Sequence, residues 1–100
     1  MGEHATAEGY DVIASGDYSH AEGCGNGLLV GGVEGVYLQA SGTASHAEGW
    51  GTTASGDYSH AENDETTASG EASHAEGYET VASGTYSHAE GYNTIAARCS

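Results

Sequence analysis

Gly, Ala, Ser and Thr make up 53 of the 100 residues, whereas Leu, Ile, Val and Phe together make up only 10. Acidic side chains outnumber basic ones 15 to 1, which gives a formal net charge of −14. This composition is typical of a disordered chain, because it buries too little apolar surface to offset the entropy lost on folding. No run approaches the roughly 18 apolar residues of a membrane-spanning helix. One arginine is too little positive charge for nucleic-acid binding. We therefore expect neither a nucleic-acid partner nor membrane insertion.

The order of the residues overrides the composition, because a 14-residue repeat runs through almost the whole chain. The tripeptide Ala-Glu-Gly begins at residues 7, 21, 47, 75 and 89, and residues 61–63 are a close copy. The 26-residue interval from Ala21 to Ala47 is explained if Val33, Glu34 and Gly35 form a further copy. The sequence then predicts a single repeat domain, 1–100, with seven coils: 7–20, 21–32, 33–46, 47–60, 61–74, 75–88 and 89–100.

Each unit has two similar halves in which glycine recurs every seven residues. Residues 80–84 (TVASG) and 87–91 (SHAEG) both have a hydroxyl residue, a variable one, Ala, a polar one and Gly. Regular glycines and β-branched residues disfavour helices and coiled coils, whereas two short strands separated by glycine corners fit this pattern. Stacked coils place equivalent residues about 4.8 Å apart in columns. The sequence predicts an all-β protein, a parallel β-roll or solenoid.

The alternation of side chains along a strand predicts the interior. Ala82 and Ala89 point away from their neighbours in the chain, and the two Ala columns fill a thin space between the strands. That burial is too small to stabilise a chain alone. The outward faces, with Ile, Val or Thr on one half and His and Glu on the other, are available for oligomerisation.

The S-H-A-E-G and x-A-S-G repeats, from Gly2 to about Ala96, resemble the head repeats of trimeric autotransporter adhesins and similar repeats of phage tail-fibre-like proteins. The usual adhesin motif, S-V-A-I-G, has Val and Ile where this chain has His88 and Glu90. The resemblance implies a left-handed parallel β-roll, a homotrimer, and an adhesive head or fibre segment on a cell surface or a phage virion. Its partners would be copies of itself and a host cell-surface receptor, glycan or matrix protein.

The chain begins and ends inside a repeat, so we expect it to be a piece of a longer fibre or adhesin. Its first residues have neither the basic region nor the apolar run of a signal peptide. Catalytic signatures are also lacking: adjacent Ser and His residues of one strand, such as Ser87 and His88, point to opposite faces. We expect a structural protein and no enzyme.

Two polar columns run side by side along one half of the coils. The histidine column contains His20, His46, His60, His74 and His88, and the glutamate column contains Glu8, Glu22, Glu34, Glu48, Glu62, Glu76 and Glu90. The favoured hypothesis is a structural interface in which His and Glu pair within and between chains, because stacked carboxylates repel each other. It requires no cofactor and predicts that acid weakens assembly. The alternative is a metal-binding array, since imidazole and carboxylate bind zinc or nickel.

Aromatic residues form two further columns. Tyr10, Trp50, Tyr78 and Tyr92 share the fourth place of the unit, and a second column is formed by Tyr18, Tyr58 and Tyr86. One hypothesis makes the first column a surface that contacts a glycan or receptor. The favoured one makes these residues clamps at the corners, which cover the thin core or a neighbouring subunit.

Two other features interrupt or decorate the repeat. Threonines recur at Thr52, Thr66, Thr80 and Thr94, and resemble the hydroxyl arrays of ice-binding solenoids. Residues 24–38 break the repeat and contain all three leucines. We expect residues 27–33 within this segment to form a hydrophobic plug at the trimer axis, because an exposed apolar patch promotes aggregation.

Overall fold

The computed structural model of the protein describes residues 2–25 and 38–97. Within them the chain forms twelve short strands. In chain order they are β1 (Thr6–Tyr10), β2 (Val12–Ala14), β3 (His20–Cys24), β4 (Leu38–Ala40), β5 (His46–Trp50), β6 (Thr53–Ala54), β7 (His60–Asp64), β8 (Thr67–Ala68), β9 (His74–Tyr78), β10 (Val81–Ala82), β11 (His88–Tyr92) and β12 (Ile95–Ala96). No helix in this part of the chain is long and apolar enough to span a membrane.

The strands form two parallel sheets, and each coil contributes one strand to each. The odd-numbered strands form one sheet in the order β1-β3-β5-β7-β9-β11, and the even-numbered strands form the other in the matching order. Equivalent residues of successive coils pair directly, for example His60 with His74 and Glu62 with Glu76. The prediction of an all-β parallel solenoid with vertical columns is confirmed.

The register corrects the predicted number of coils. Strand β3 pairs directly with β5, so that Glu22 lies beside Glu48, and β2 pairs directly with β4. Among residues 2–25 and 38–97 no strand lies between them, and the sheets that these residues form contain six coils instead of seven. The 26-residue interval is one ordinary coil with 12 additional residues, not a 12-residue coil followed by a 14-residue one. Glu34 and the predicted plug lie in residues 26–37, outside the described residues.

The interior of the roll is filled by columns of small side chains. The Ala columns are confirmed, since none of these residues is more than 4% exposed: Ala14, Ala21, Ala40, Ala47, Ala54, Ala61, Ala68, Ala75, Ala82 and Ala89. Two hydroxyl columns lie beside them, with Ser19, Ser45, Ser59, Ser73 and Ser87 in one and Thr52, Thr66 and Thr80 in the other. Leu38 occupies the threonine place in its coil and is fully buried.

The burial of Thr52, Thr66 and Thr80 shows that the comparison of the threonines with the hydroxyl arrays of ice-binding solenoids is wrong. Thr66 is fully buried, and its Oγ1 donates a hydrogen bond to the carbonyl oxygen of Glu62 at 3.0 Å. Ser59 Oγ donates to the carbonyl oxygen of Gly56 at 2.6 Å. Because a buried hydroxyl is costly without a partner, these bonds make Ser and Thr acceptable inside a core this thin.

The corners of the roll require an unusual backbone. Tyr18, Ala44, Tyr58, Ala72 and Tyr86 all have φ between 54° and 62°, a left-handed conformation that costs a non-glycine residue roughly 1–2 kcal/mol. Aspartates at the preceding place help to hold this corner. Asp57 Oδ1, for example, accepts a hydrogen bond of 2.9 Å from the backbone nitrogen of Thr43 in the neighbouring coil.

Candidate functional site: the histidine–glutamate ladder

The outward face of the odd-numbered sheet carries an uninterrupted ladder of His and Glu side chains. Each five-residue strand from β3 to β11 begins with His, buries the following Ala, and turns the next Glu back to the His side. The structure therefore brings together the predicted residues His20, His46, His60, His74, His88, Glu22, Glu48, Glu62, Glu76 and Glu90. We call these ten residues the ladder.

The imidazole rings of the ladder stack on one another. Successive ring centroids from His20 to His88 are 4.6–4.8 Å apart. The planes lie within 4° of each other from His46 to His88. This spacing is that of the sheet itself, so the backbone ladder fixes the positions of the rings.

Each imidazole from His46 to His88 lies between two carboxylates from consecutive coils. His60 Nε2 is 3.5 Å from Glu48 Oε1 and 3.5 Å from Glu62 Oε2. His74 Nε2 is 3.4 Å from Glu62 Oε1. Glu48, Glu62 and Glu76 thus each offer a different oxygen to each of their two histidines. A single chain thus brings its own His and Glu side chains within 3.4–4.0 Å of each other. The predicted pairing within and between chains stays a prediction.

The ladder leaves several imidazole nitrogens without a partner. The Nε2 atoms of His20, His46 and His60 are buried and make no hydrogen bond, although the side chains themselves are 34–41% exposed. Buried polar atoms nearly always have a hydrogen-bond partner. These three Nε2 atoms can therefore accept a further polar partner from outside the chain.

Near the middle of the ladder, the surroundings favour a neutral imidazole at His46 and an ionised carboxylate at Glu48. Burial, together with the neighbouring charge of His60, lowers the pKa of His46 below its ordinary value. Burial opposes ionisation of Glu48, but its interactions with the nearby Glu62, His46 and His60 side chains outweigh the burial and lower the Glu48 pKa. At neutral pH the His46 ring is therefore neutral and the Glu48 carboxylate beside it is ionised.

The predicted aromatic residues lie at a corner and point into solvent. Tyr10 and Tyr92 are 66% and 72% exposed, and Trp50 and Tyr78 are 38% and 39% exposed. Tyr78 and Tyr92 stack with centroids 5.1 Å apart. The hypothesis that these residues cover the core of their own chain is wrong. Contact with a neighbouring subunit or a ligand stays a prediction.

The sequence reasoning missed a shallow groove on the outward face of the even-numbered sheet. It has a volume of about 440 Å³ and is lined by Gly51, Thr53, Glu65, Thr67, Glu79, Val81 and Asn93. Its corner residues, including Glu65 and Glu79, have φ of 51° and 53°. The residues at the fifth place of the repeat differ from coil to coil. The sequence columns therefore did not indicate that they line one groove.

A family comparison agrees with this geometry. The model of the YadA head domain repeat matches twice, at residues 61–87 and 75–97. Residues 61–97 carry YadA head domain repeats. The YadA head family is a surface-exposed, trimeric β-roll of the adhesin type. No curated protein and no solved structure matches the chain at a significant level. The head-repeat pattern extends in register beyond the matched residues, down to β1.

Proposed function

We propose that this head-repeat chain is one third of a trimeric, extracellular β-roll that presents a multivalent surface for attachment to a host cell. The observation that carries the proposal is the stack of coils in register through both sheets, which continues the matched head repeats of residues 61–97. Such a stack is stiff along its axis, and each added coil repeats the same surface. In a trimer of stacked repeats, many identical weak contacts act together, so the whole assembly binds a surface more tightly than a single contact does.

We place the contact between subunits at the ladder, as the sequence predicted. Three features support this choice: the columns are regular over five coils, the ring planes are nearly parallel, and buried Nε2 atoms lack partners. The outward places of the other sheet are irregular, with Ile13, Gln39 and Val81 in equivalent positions. A symmetric assembly requires one patch to fit copies of itself, and a regular column satisfies that requirement more easily.

A pair of matched charge substitutions tests this interface. Glu62→Arg places a long cation in the middle of the ladder, whereas Thr67→Arg places the same side chain on the opposite sheet of the same coil. We expect sedimentation velocity to show monomers for Glu62→Arg and trimers for Thr67→Arg, with unchanged circular dichroism in both. Trimers in both variants, or dissociation only with Thr67→Arg, would exclude the ladder as the interface.

The attachment surface is proposed to be the aromatic column that contains Tyr10, Trp50, Tyr78 and Tyr92. Exposed aromatic rings supply large contact areas at little entropic cost, and the stacked pair Tyr78–Tyr92 forms a flat apolar step on the corner. A glycan, a receptor or a matrix protein could lie against this step in each of three subunits.

The attachment test compares the two aromatic columns. The labelled trimer is applied to host cells and to panels of immobilised glycans and matrix proteins. We expect Tyr78→Ser with Tyr92→Ser to lower attachment, and the control pair Tyr58→Ser with Tyr86→Ser to leave it unchanged. Equal attachment by both double variants and the original chain would refute the assignment of this column.

A further inference from the structure

The distances within the ladder are unusual for ion pairs. The nine His Nε2 to Glu oxygen distances lie between 3.4 and 4.0 Å. Charge-assisted hydrogen bonds between nitrogen and carboxylate are about 2.7–2.9 Å long. The shorter ladder distances instead match two ligands of one small cation, because bonds of about 2.0–2.2 Å at a tetrahedral angle separate the ligand atoms by about 3.4 Å.

The ligand set follows from the stacking of the rings. Two parallel imidazoles 4.6–4.8 Å apart cannot share one ion, because the lone pair of each Nε2 lies in the plane of its own ring. One imidazole flanked by carboxylates from its own coil and the preceding one has no such conflict. The oxygens Glu48 Oε1 and Glu62 Oε2 lie at equal distances on the two sides of His60 Nε2.

We propose that the ladder binds divalent transition-metal ions such as zinc through Glu–His–Glu sets, each with one imidazole nitrogen and two carboxylate oxygens. Four histidines have a carboxylate on each side: His60, His74 and His88 each have at least one distance of 3.4–3.5 Å, and the two distances at His46 are 3.9 and 4.0 Å. The unpartnered, buried Nε2 atoms of His46 and His60 support the assignment, because a bound cation gives each lone pair a partner. Neutral imidazole and carboxylate suit zinc, nickel and similar ions.

The shared glutamates limit the number of ions. Neighbouring sets use opposite oxygens of the same carboxylate and are about one coil apart, and two dications at that distance repel each other strongly. Alternate sets are therefore filled, which gives about two ions per chain. All ligands of a set come from one chain, so the proposal does not depend on the proposed trimer.

Zinc titration calorimetry on the full chain, with Cys24→Ser and Cys99→Ser to remove competing thiolates, tests the proposal. Glu48→Gln with Glu76→Gln removes one carboxylate from each of the four sets. The matched control, Glu65→Gln with Glu79→Gln, removes the same charge from two stacked corner residues of the opposite face. We expect about two ions per parent chain, at least about tenfold weaker binding in the ladder variant, and unchanged binding in the control.

A second measurement keeps the test decisive if the ladder variant misfolds. In the same cysteine-free chain, zinc should shift the imidazole NMR signals of ladder histidines and leave His4 unchanged, because His4 lies outside the ladder and stacks on Tyr18. Zinc should also raise the melting temperature, since the ligands meet only in the folded state. Absence of saturable binding, equal weakening in both glutamate variants, or a shift of His4 alone would overturn the proposal. The mass of the zinc-free protein tests the trimer separately.

Discussion

Replacing Ala61 by Val tests whether the interior of the roll is as thin as the structure indicates. Ala61 is fully buried, and its partners in the neighbouring coils are Ala47 and Ala75. The substitution adds two methyl groups at a place closed by residues above, below and across the roll. Intrinsic strand propensity and hydrophobicity both favour Val over Ala and would raise the free energy of unfolding. Overpacking of a closed interior would lower it, so the two effects predict opposite changes in stability.

The expected cost of Ala61→Val is about 2–3 kcal/mol, at the upper end of what overpacking costs in proteins. We expect a loss of stability at the upper end of this range because backbone hydrogen bonds join each coil to the next in both sheets. The two sheets therefore cannot move apart locally to make room for Val. For a chain of this length the melting temperature should fall by about 10–20 °C.

The assay is thermal and urea unfolding followed by circular dichroism, at one protein concentration because assembly makes melting concentration-dependent. Thr67→Val is the matched control: it makes an outward residue of the opposite sheet apolar, at a place where Val81 and Ile95 already occur. We expect the control to melt within a few degrees of the parent chain. An Ala61→Val variant as stable as the parent would refute the thin interior.

Three further substitutions or titrations test other parts of the structure. Gly56→Ala should destabilise the roll by more than about 3 kcal/mol or prevent folding, because its Cβ would lie 2.1 Å from the carbonyl oxygen of Gly70; urea unfolding measures this. Ala72→Gly should stabilise it by about 0.5–1 kcal/mol, because the φ of 57° at this corner suits glycine; thermal melting measures this. The His46 imidazole should titrate below 6.5 by NMR, because burial and the charge of His60 lower its pKa. Its contribution to stability is therefore complete above pH 6.5 and is lost as the pH falls towards the folded-state pKa. Glu48, whose pKa is lowered below 4.5, gives a second loss at lower pH.

Each of these three predictions has its own control or contrary result. An Ala in place of Gly56 that leaves stability unchanged would show that adjacent corners are not in close contact. Ser69→Gly changes an exposed residue of the same coil to glycine, and a gain there equal to that of Ala72→Gly would remove the argument from backbone strain. For the titration, zinc-free wild type is compared with His46→Gln at each pH. If the free energy of unfolding of the wild type rose relative to that of His46→Gln as the pH falls from 8 to 5.5, the lowered pKa would be contradicted.

The sequence predicts the repeating part of the fold well, because each residue type has one role in every coil. The period of 14 residues places His60 beside His74 and Glu62 beside Glu76, as the structure has them. The alternation of side chains along each strand predicted that Ala points inwards and that His and Glu point outwards. Glycine at regular corners was enough to reject a helix.

The predicted number of coils was wrong because the interval from Ala21 to Ala47 can be divided into coils in two ways of equal length. A 12-residue coil followed by an ordinary one, and an ordinary coil with 12 additional residues, both span the interval from Ala21 to Ala47. Only the pairing of Glu22 with Glu48 distinguishes them. Val33, Glu34 and Gly35 resembled a copy of the motif, but three residues are too few to establish a coil.

The buried threonines and the exposed tyrosines were missed for a different physical reason. Whether Thr66 points inwards depends on how the chain turns between the two strands of a coil, and the repeat does not reveal the turn geometry. The hydrogen bond from Thr66 to the carbonyl of Glu62 becomes visible only when that turn is known. The same turn directs the aromatic column outwards instead of over the core.

The molar mass of the zinc-free chain in solution, measured by light scattering at neutral pH over a range of concentrations, tests the central claim most directly. A trimer of 10.1 kDa chains has a mass of about 30 kDa, and we expect this mass to change little on dilution. A stable, folded monomer of about 10 kDa at all concentrations would contradict the trimer, the ladder interface and the multivalent attachment surface together.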